Sequence, residues 1–347
     1  MRAFNCGNCR QLVFFENSRC LRCSTPLGFL PSTLELVALT EETVQARGLR
    51  HCENMALAQC NWMVEAPDPG PLCRSCRLTR TRPADSATEE LPAFAKAESA
   101  KRRLLYGLFD LGLDVEEDRL RFDLLSSRAG AVITGHKDGV ITIDLAESDD
   151  VRREQRRAEL GEPYRTLLGH FRHEIGHYYW PILIEQTGEL ERWRSLFGDE
   201  RLDYAQALQR YYESEPPPDW VDRHVSAYAA AHPWEDWAET FAQYLHILDT
   251  LETAAAYGLV VRGPAAADGE SLSAAPTPDE SDASFDAIIR DWLPLTYALN
   301  AINRSMGRDD LYPFTLAPTV IDKLAYVHDR VRASRRRKPS QLATAAD

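Results

Sequence analysis

The sequence predicts an α+β protein: a mainly helical body with a small β-sheet, preceded by a small cysteine-rich module. Three observations predict it. All eight cysteines of the 347-residue chain fall in its first 76 residues. From Pro92 onward, apolar residues recur mostly with helical spacing. Only two short runs in that body, Leu120–Leu125 and Gly139–Leu145, alternate as strands do. With 44% hydrophobic residues, the chain has material for one sizeable core and an accessory module.

The cysteines come first. Cys6-x2-Cys9 and Cys20-x2-Cys23 are paired knuckles with the spacing of a tetrahedral structural zinc site. Cys52, Cys60, Cys73 and Cys76 form a second set, with His51 as an alternative to Cys52. Residues 1–80 are therefore expected to be a zinc-ribbon module with two structural zinc ions, which stand in for a core too small to fold alone. A disulfide framework is disfavoured, because Met1-Arg-Ala-Phe-Asn-Cys6 leads straight into the first knuckle without a signal peptide. No run of eighteen apolar residues is present, so no membrane association is expected. Reduced thiols and a cytoplasmic location follow.

Charge bounds the partners. The formal net charge is −13, yet residues 1–82 hold ten arginines against seven acidic residues, leaving the rest near −16. A scatter of arginines without a dense basic stripe, joined to an acidic body, argues against nucleic acid and leaves a protein partner for the ribbon.

Residues 81–91 read as a linker. A long helix over Pro92–Gly112 follows, with Phe94, Leu104, Leu105, Leu108 and Phe109 inward. Lys137-Asp-Gly139 is a turn into the second strand, whose sheet edge is expected to accept an extended substrate. Glu162-Pro163 opens the next helix, and Gly176 inside it suggests close approach of a neighbour. A helix near Arg201–Glu213 ends at Pro216-Pro-Pro218, after which Asp219 is expected to cap a helix carrying Tyr228. Residues 262–284, rich in Gly, Pro, Ala, Ser and acids, read as a disordered acidic insertion within a body spanning 92–333. Two helices fill Phe285–Arg332, and 334–347 is expected to be a disordered tail.

The chemistry concentrates in His170-Phe-Arg-His173-Glu174-Ile-Gly-His177, which contains HExxH. Residues four apart share a helix face, so His173 and His177 can grip one metal ion. Glu174 then stands where it can take a proton from a zinc-activated water, as general base. A catalytic zinc wants a third protein ligand and an open position. Pro233-Trp-Glu235-Asp-Trp-Ala-Glu239-Thr-Phe-Ala supplies two glutamates four apart on a helix whose apolar side is Trp234, Trp237, Ala238, Phe241 and Leu245. One can bind the metal while the other accepts the spare N–H of a ligand histidine. His170, one turn before His173, reads as a histidine supporting the site. His232 and His246 read as surface or packing residues.

HExxH followed by the E-D-W-A-E-T-F-A helix resembles the gluzincin metallopeptidases, whose third ligand is a glutamate. Tyr228, Glu235 and Glu239 are also similar in order to the catalytic domain of anthrax lethal factor. That likeness implies a zincin-like body with Tyr228 aiding oxyanion stabilisation, Glu235 on zinc and Glu239 in support. More broadly, the chain resembles a bacterial family of zinc-binding metallopeptidases with an N-terminal zinc ribbon. Members share the run Gly161-Glu-Pro-Tyr-Arg-Thr-Leu-Leu-Gly-His-Phe-Arg-His-Glu-Ile-Gly-His-Tyr-Tyr-Trp180, and the likeness excludes only 262–283 and the last dozen residues. The expectation is one catalytic and two structural zinc ions, hydrolysing a peptide or protein substrate. The competing expectation is a non-catalytic zinc-ribbon adaptor that binds protein or nucleic acid.

Overall fold

The computed structural model describes residues 2–128, 130–149, 166–214, 216–265, 271–278 and 280–335. The chain forms two compact units, the first from Met1 to Gln155 and the second from Arg156 to Ser334.

The first unit begins with three short antiparallel pairs: β1 (Phe4–Asn5) with β2 (Leu12–Val13), β3 (Leu27–Leu30) with β4 (Glu35–Ala38), and β5 (Arg50–His51) with β6 (Met63–Val64). Between them, α1 (Glu41–Arg47) starts on Thr40, whose side chain accepts from the Thr43 N–H. It stops at Gly48, which takes the left-handed φ of 58° that a C-cap requires. α2 (Arg74–Arg77) carries the last knuckle into β7 (Thr79–Thr81), and α3 (Leu91–Asp110) follows. The sheet is completed by β8 (Arg121–Leu125), β9 (Gly135–Lys137) and β10 (Val140–Asp144), in the order β7-β8-β10-β9. β7 and β10 flank β8 in parallel, while β9 and β10 form a hairpin. Its turn places Asp138 and Gly139 at φ of 50° and 79°, the paired positive values of a tight hairpin.

Residues 82–90, within the expected linker, carry no strand or helix, while Thr79–Thr81 before them is a strand of the four-stranded sheet. Within the first unit, α3 packs on the cysteine-rich strands. The reason is aromatic packing. Phe15, Phe29, Trp62 and Tyr106 are all fully buried, with ring centroids of Phe15–Phe29 at 4.9 Å, Phe29–Trp62 at 5.0 Å and Phe15–Tyr106 at 5.3 Å. Burying one such ring stabilises by about 1.5–3 kcal/mol, so Tyr106 welds α3 to the cysteine-rich strands. The four-stranded sheet belongs to the first unit.

The second unit is helical: α4 (Leu167–Leu183), α5 (Leu190–Phe197), α6 (Tyr204–Glu213), α7 (Trp220–Arg223), α8 (Pro233–Ala256), α9 (Phe285–Ser305) and α10 (Pro318–Ser334). Glu162 and Pro163 lie outside the described residues; α4 is capped by Thr166, which accepts from the Gly169 N–H at 2.9 Å. α4 and α8 pack closely, and Gly176 is where they touch. A Cβ there would stand 3.0 Å from Ala238 Cα and 3.2 Å from Phe241 Cβ. The Gly176 carbonyl also accepts from Trp237 Nε1 at 2.9 Å, and Tyr179 stacks on Phe241. Helix propensity lost at Gly176 (about 1 kcal/mol) is thus offset by a backbone approach that a side chain would prevent.

Two further expectations are corrected. Residues 262–284 are not a wholly disordered insertion: β11 (Val261–Ala265) and β12 (Ser271–Ala274) form an antiparallel pair, with Val261 opposite Ala274. Small residues suffice there because Ala274 is buried and the Ala275 N–H donates to Asp291 on α9. Asp219 makes no side-chain cap, and Tyr228 lies on a 3-10 turn, Tyr228–Ala231, separate from α7. The tail expected at 334–347 falls, beyond Arg335, outside the described residues. No helix among the described residues is long and apolar enough to cross a membrane.

Candidate metal centre

Three groups of potential ligands are present among the described residues, each with its ligand atoms within 4.8 Å of one another: Cys6, Cys9, Cys20 and Cys23; Cys52, Cys60, Cys73 and Cys76; and His173, His177 and Glu235.

Sulfur spacing tests the cysteine groups. Four sulfurs about 2.3 Å from a shared tetrahedral centre stand about 3.8 Å apart. Cys6–Cys23 and Cys9–Cys20 are 3.7 and 3.6 Å apart, and Cys60–Cys73 and Cys60–Cys76 are 3.6 and 3.8 Å apart. Those distances fit a zinc ion and are far too long for a disulfide. Cys52, buried, joins the second group and accepts the Cys73 N–H, whereas His51 sits exposed on β5.

In the second unit, α4 projects His173 and His177 from successive turns, with their Nε2 atoms 3.2 Å apart. α8 presents Glu235 from its first turn, with Oε2 at 3.0 Å from His173 Nε2 and Oε1 at 3.6 Å from His177 Nε2. One helical turn on, Glu239 Oε1 accepts from His173 Nδ1 at 2.7 Å, and its Oε2 accepts from the Ser226 hydroxyl at 2.8 Å. That bond consumes the Nδ1 proton, so a neutral His173 turns an unprotonated Nε2 toward the other two donors. Glu235 Oε2 is buried and, despite its closeness to His173, has no hydrogen-bond partner. Two ring nitrogens and a carboxylate oxygen converge here, and an imidazole, imidazole and carboxylate set suits zinc.

Electrostatics agree. Burial opposes charge on Glu235, but His177 and His173 outweigh it and hold its carboxyl well below the usual range. Burial likewise opposes charge on His173, yet Glu235 and Glu239 raise its pKa well above the ordinary value, which measures how strongly this spot attracts positive charge. Glu174 is buried beside the group, with Oε1 3.3 Å from His170 Nε2. Burial raises its pKa, and the hydrogen bond from His170 and the nearby His173 and His177 lower it further than that, so it stays ionised. Tyr228 places its ring 6.0 Å from that of His173, and burial followed by the Glu235 carboxylate pushes its phenol above the usual pKa. It therefore keeps a proton to donate.

His170 stays out of the ligand group and serves Glu174. His246 lies in the core, stacked on Tyr312 at 5.5 Å, its pKa lowered to about 3 by burial and by Arg172. His232 is buried and caps α8, its Nδ1 accepting the Trp234 N–H at 3.1 Å. The sequence did not point to Ser226, which holds Glu239, or to Tyr204, whose hydroxyl donates to Glu235 Oε1 at 2.6 Å. Asp203 ahead of Tyr204 signals a helix start, but no spacing links Tyr204 to a site.

Comparison with known proteins gives the following. Residues 90–330 match a family model described as "Putative zinc-binding metallo-peptidase", and residues 3–87 match one described as a zinc-ribbon domain. Uncharacterized proteins of Mycobacterium tuberculosis and Mycobacterium bovis are 50% identical to the chain over 335 residues, covering 94% of each partner. No solved structure matches.

Proposed function

The chain belongs to this zinc-binding metallopeptidase family, and from that membership we propose that it hydrolyses peptide bonds at a gluzincin-like centre formed by His173, His177 and Glu235. The observation that carries the reading is the set of three donor atoms within 4.8 Å, backed by Glu239 on the far nitrogen of His173. The two cysteine groups then hold structural zinc, one ion each.

A zinc ion held by the two histidines and Glu235 would supply Lewis acidity, lowering the pKa of a water and polarising a peptide carbonyl. Glu174, ionised and held by His170, accepts the proton of the attacking water and later passes it to the leaving amine. Glu239 and Ser226 keep His173 in one tautomer and one orientation. Tyr228 donates its retained hydroxyl proton to the oxygen on which negative charge develops.

The test is incubation of the purified chain with a peptide mixture from a cell lysate, with new N-termini mapped. Glu174→Gln is expected to keep its zinc and lose at least about 100-fold in cleavage, the scale of general-base catalysis. His173→Ala is expected to lose one zinc ion and all cleavage. Full turnover by Glu174→Gln would remove the general-base assignment. No new termini with any zinc-loaded preparation would sink the peptidase reading.

A further inference from the structure

We propose that Tyr204 is a positioning residue that makes Glu235 offer a single oxygen to the metal, an inference that rests on the metal-site reading above. A carboxylate beside a cation can bind through one oxygen or two. Here Glu235 Oε1 accepts the Tyr204 hydroxyl at 2.6 Å, whereas Oε2 faces His173 Nε2 at 3.0 Å without a hydrogen-bond partner. The hydroxyl fixes the rotation of the carboxylate and uses one lone pair of Oε1, which leaves Oε2 as the stronger donor. Glu235 is then a one-bond ligand, and the room saved stays available to water and substrate.

Tyr204 is itself held in place. Asp203 caps α6 by accepting the Gln206 N–H at 3.0 Å, which fixes the turn that carries Tyr204. The His232 ring packs edge-on against the Tyr204 ring at 5.1 Å. His232 Nδ1 accepts the Trp234 N–H at 3.1 Å, so Nε2 carries the proton and donates to the Leu202 carbonyl at 3.2 Å. One neutral imidazole thereby ties the start of α6 to the start of α8, the helices bearing Tyr204 and Glu235. The Trp234 ring closes the group at 5.9 Å from Tyr204. Tyr204 as a whole is 36% exposed, so Tyr204→Phe removes one hydroxyl from a ring that is not part of the buried core.

The experiment is metal binding by the full-length chain, read by competition with a colorimetric zinc chelator and by the visible spectrum of Co2+ placed in the site. His173→Ala identifies which zinc ion belongs to the site, because it should release that ion and spare those on the cysteines. Tyr204→Phe is expected to weaken this same ion by about 10–100-fold, the usual effect of losing a residue that orients a ligand. It should also change the Co2+ spectrum while leaving the thermal unfolding midpoint in place. His232→Asn, which can still cap α8 but loses the Leu202 link, should move both readouts in the same direction by less; if Tyr204→Phe fails to fold, this variant decides. Unchanged affinity and spectrum in Tyr204→Phe overturn the inference alone. Equal zinc content in His173→Ala and the unaltered chain overturns the metal-site reading and this inference together.

Discussion

The second cysteine group buries all four ligands and the histidine–glutamate group buries two of three, but their surroundings carry opposite charge. Behind Cys76 stand Glu98, Lys101 and Arg102, all buried on α3. Lys101 donates to Glu98 at 2.7 Å, Glu98 Oε2 lies 3.9 Å from Cys76 Sγ, and Arg102 donates to the Ala58 and Gln59 carbonyls. Behind His173 stands an anion, Glu239, and behind Glu235 a phenol, Tyr204. A divalent ion on four thiolates is a net dianion that cationic neighbours stabilise and that attracts no carbonyl oxygen. The same ion on two neutral imidazoles and one carboxylate keeps a net positive charge, which is what polarises a substrate. On the function proposed above, ligand count and neighbouring charge are what would separate a fastener from a reactive centre.

The contrast can be broken at its strongest point by Cys60→Ser. Zinc-linked folding at a four-cysteine site is worth on the order of 10 kcal/mol, so this variant should lose one zinc ion and the near-ultraviolet circular dichroism of buried Trp62. An unaltered spectrum and zinc content would mean that the group is no fastener. A smaller effect is expected from Lys101→Met, which strips Glu98 of its buried partner at a cost of about 3–5 kcal/mol. Urea unfolding measures it, and pairing the change with Glu98→Gln should recover much of the loss; no recovery would deny the coupling. The smallest expected effect falls on the other side of the comparison. Glu239→Gln should reduce zinc affinity at the histidine site by about 10–100-fold with little change in unfolding midpoint. Equal affinity would show that His173 needs no anion behind it.

How far these contrasts were legible in the sequence depended on the range of the signal. Spacing along one helix was enough for His173, Glu174 and His177, because a turn of helix fixes which side chains share a face. The pair Glu235 and Glu239 was legible for the same reason, and the structure places one of them toward each end of the His173 ring. The two-CxxC pattern of the first knuckles likewise carries its own geometry. Tyr204 was hidden because its contact with Glu235 is made by tertiary packing of α6 on α8, and a tyrosine at a helix start has no local mark of such a role. The affiliation of α3 was hidden too. An amphipathic helix announces an apolar face, but Tyr106 does not say which core that face will fill. The pairing of Val261–Ala265 with Ser271–Ala274 escaped notice because five of its nine residues are Gly, Ala or Ser and one is Pro, residues with weak strand propensity.

The parallel pairing of β7 with β8 has a consequence for how the chain is made. A parallel neighbour cannot be reached by a tight turn, and here α3 is the crossover between the two strands. During synthesis, the last cysteine knuckle leaves the ribosome well before α3 brings Glu98 and Lys101 to it and before β8 arrives to hold β7. All four ligands of the second cysteine group thus precede, in chain order, the buried Glu98–Lys101 pair and the strand that holds β7.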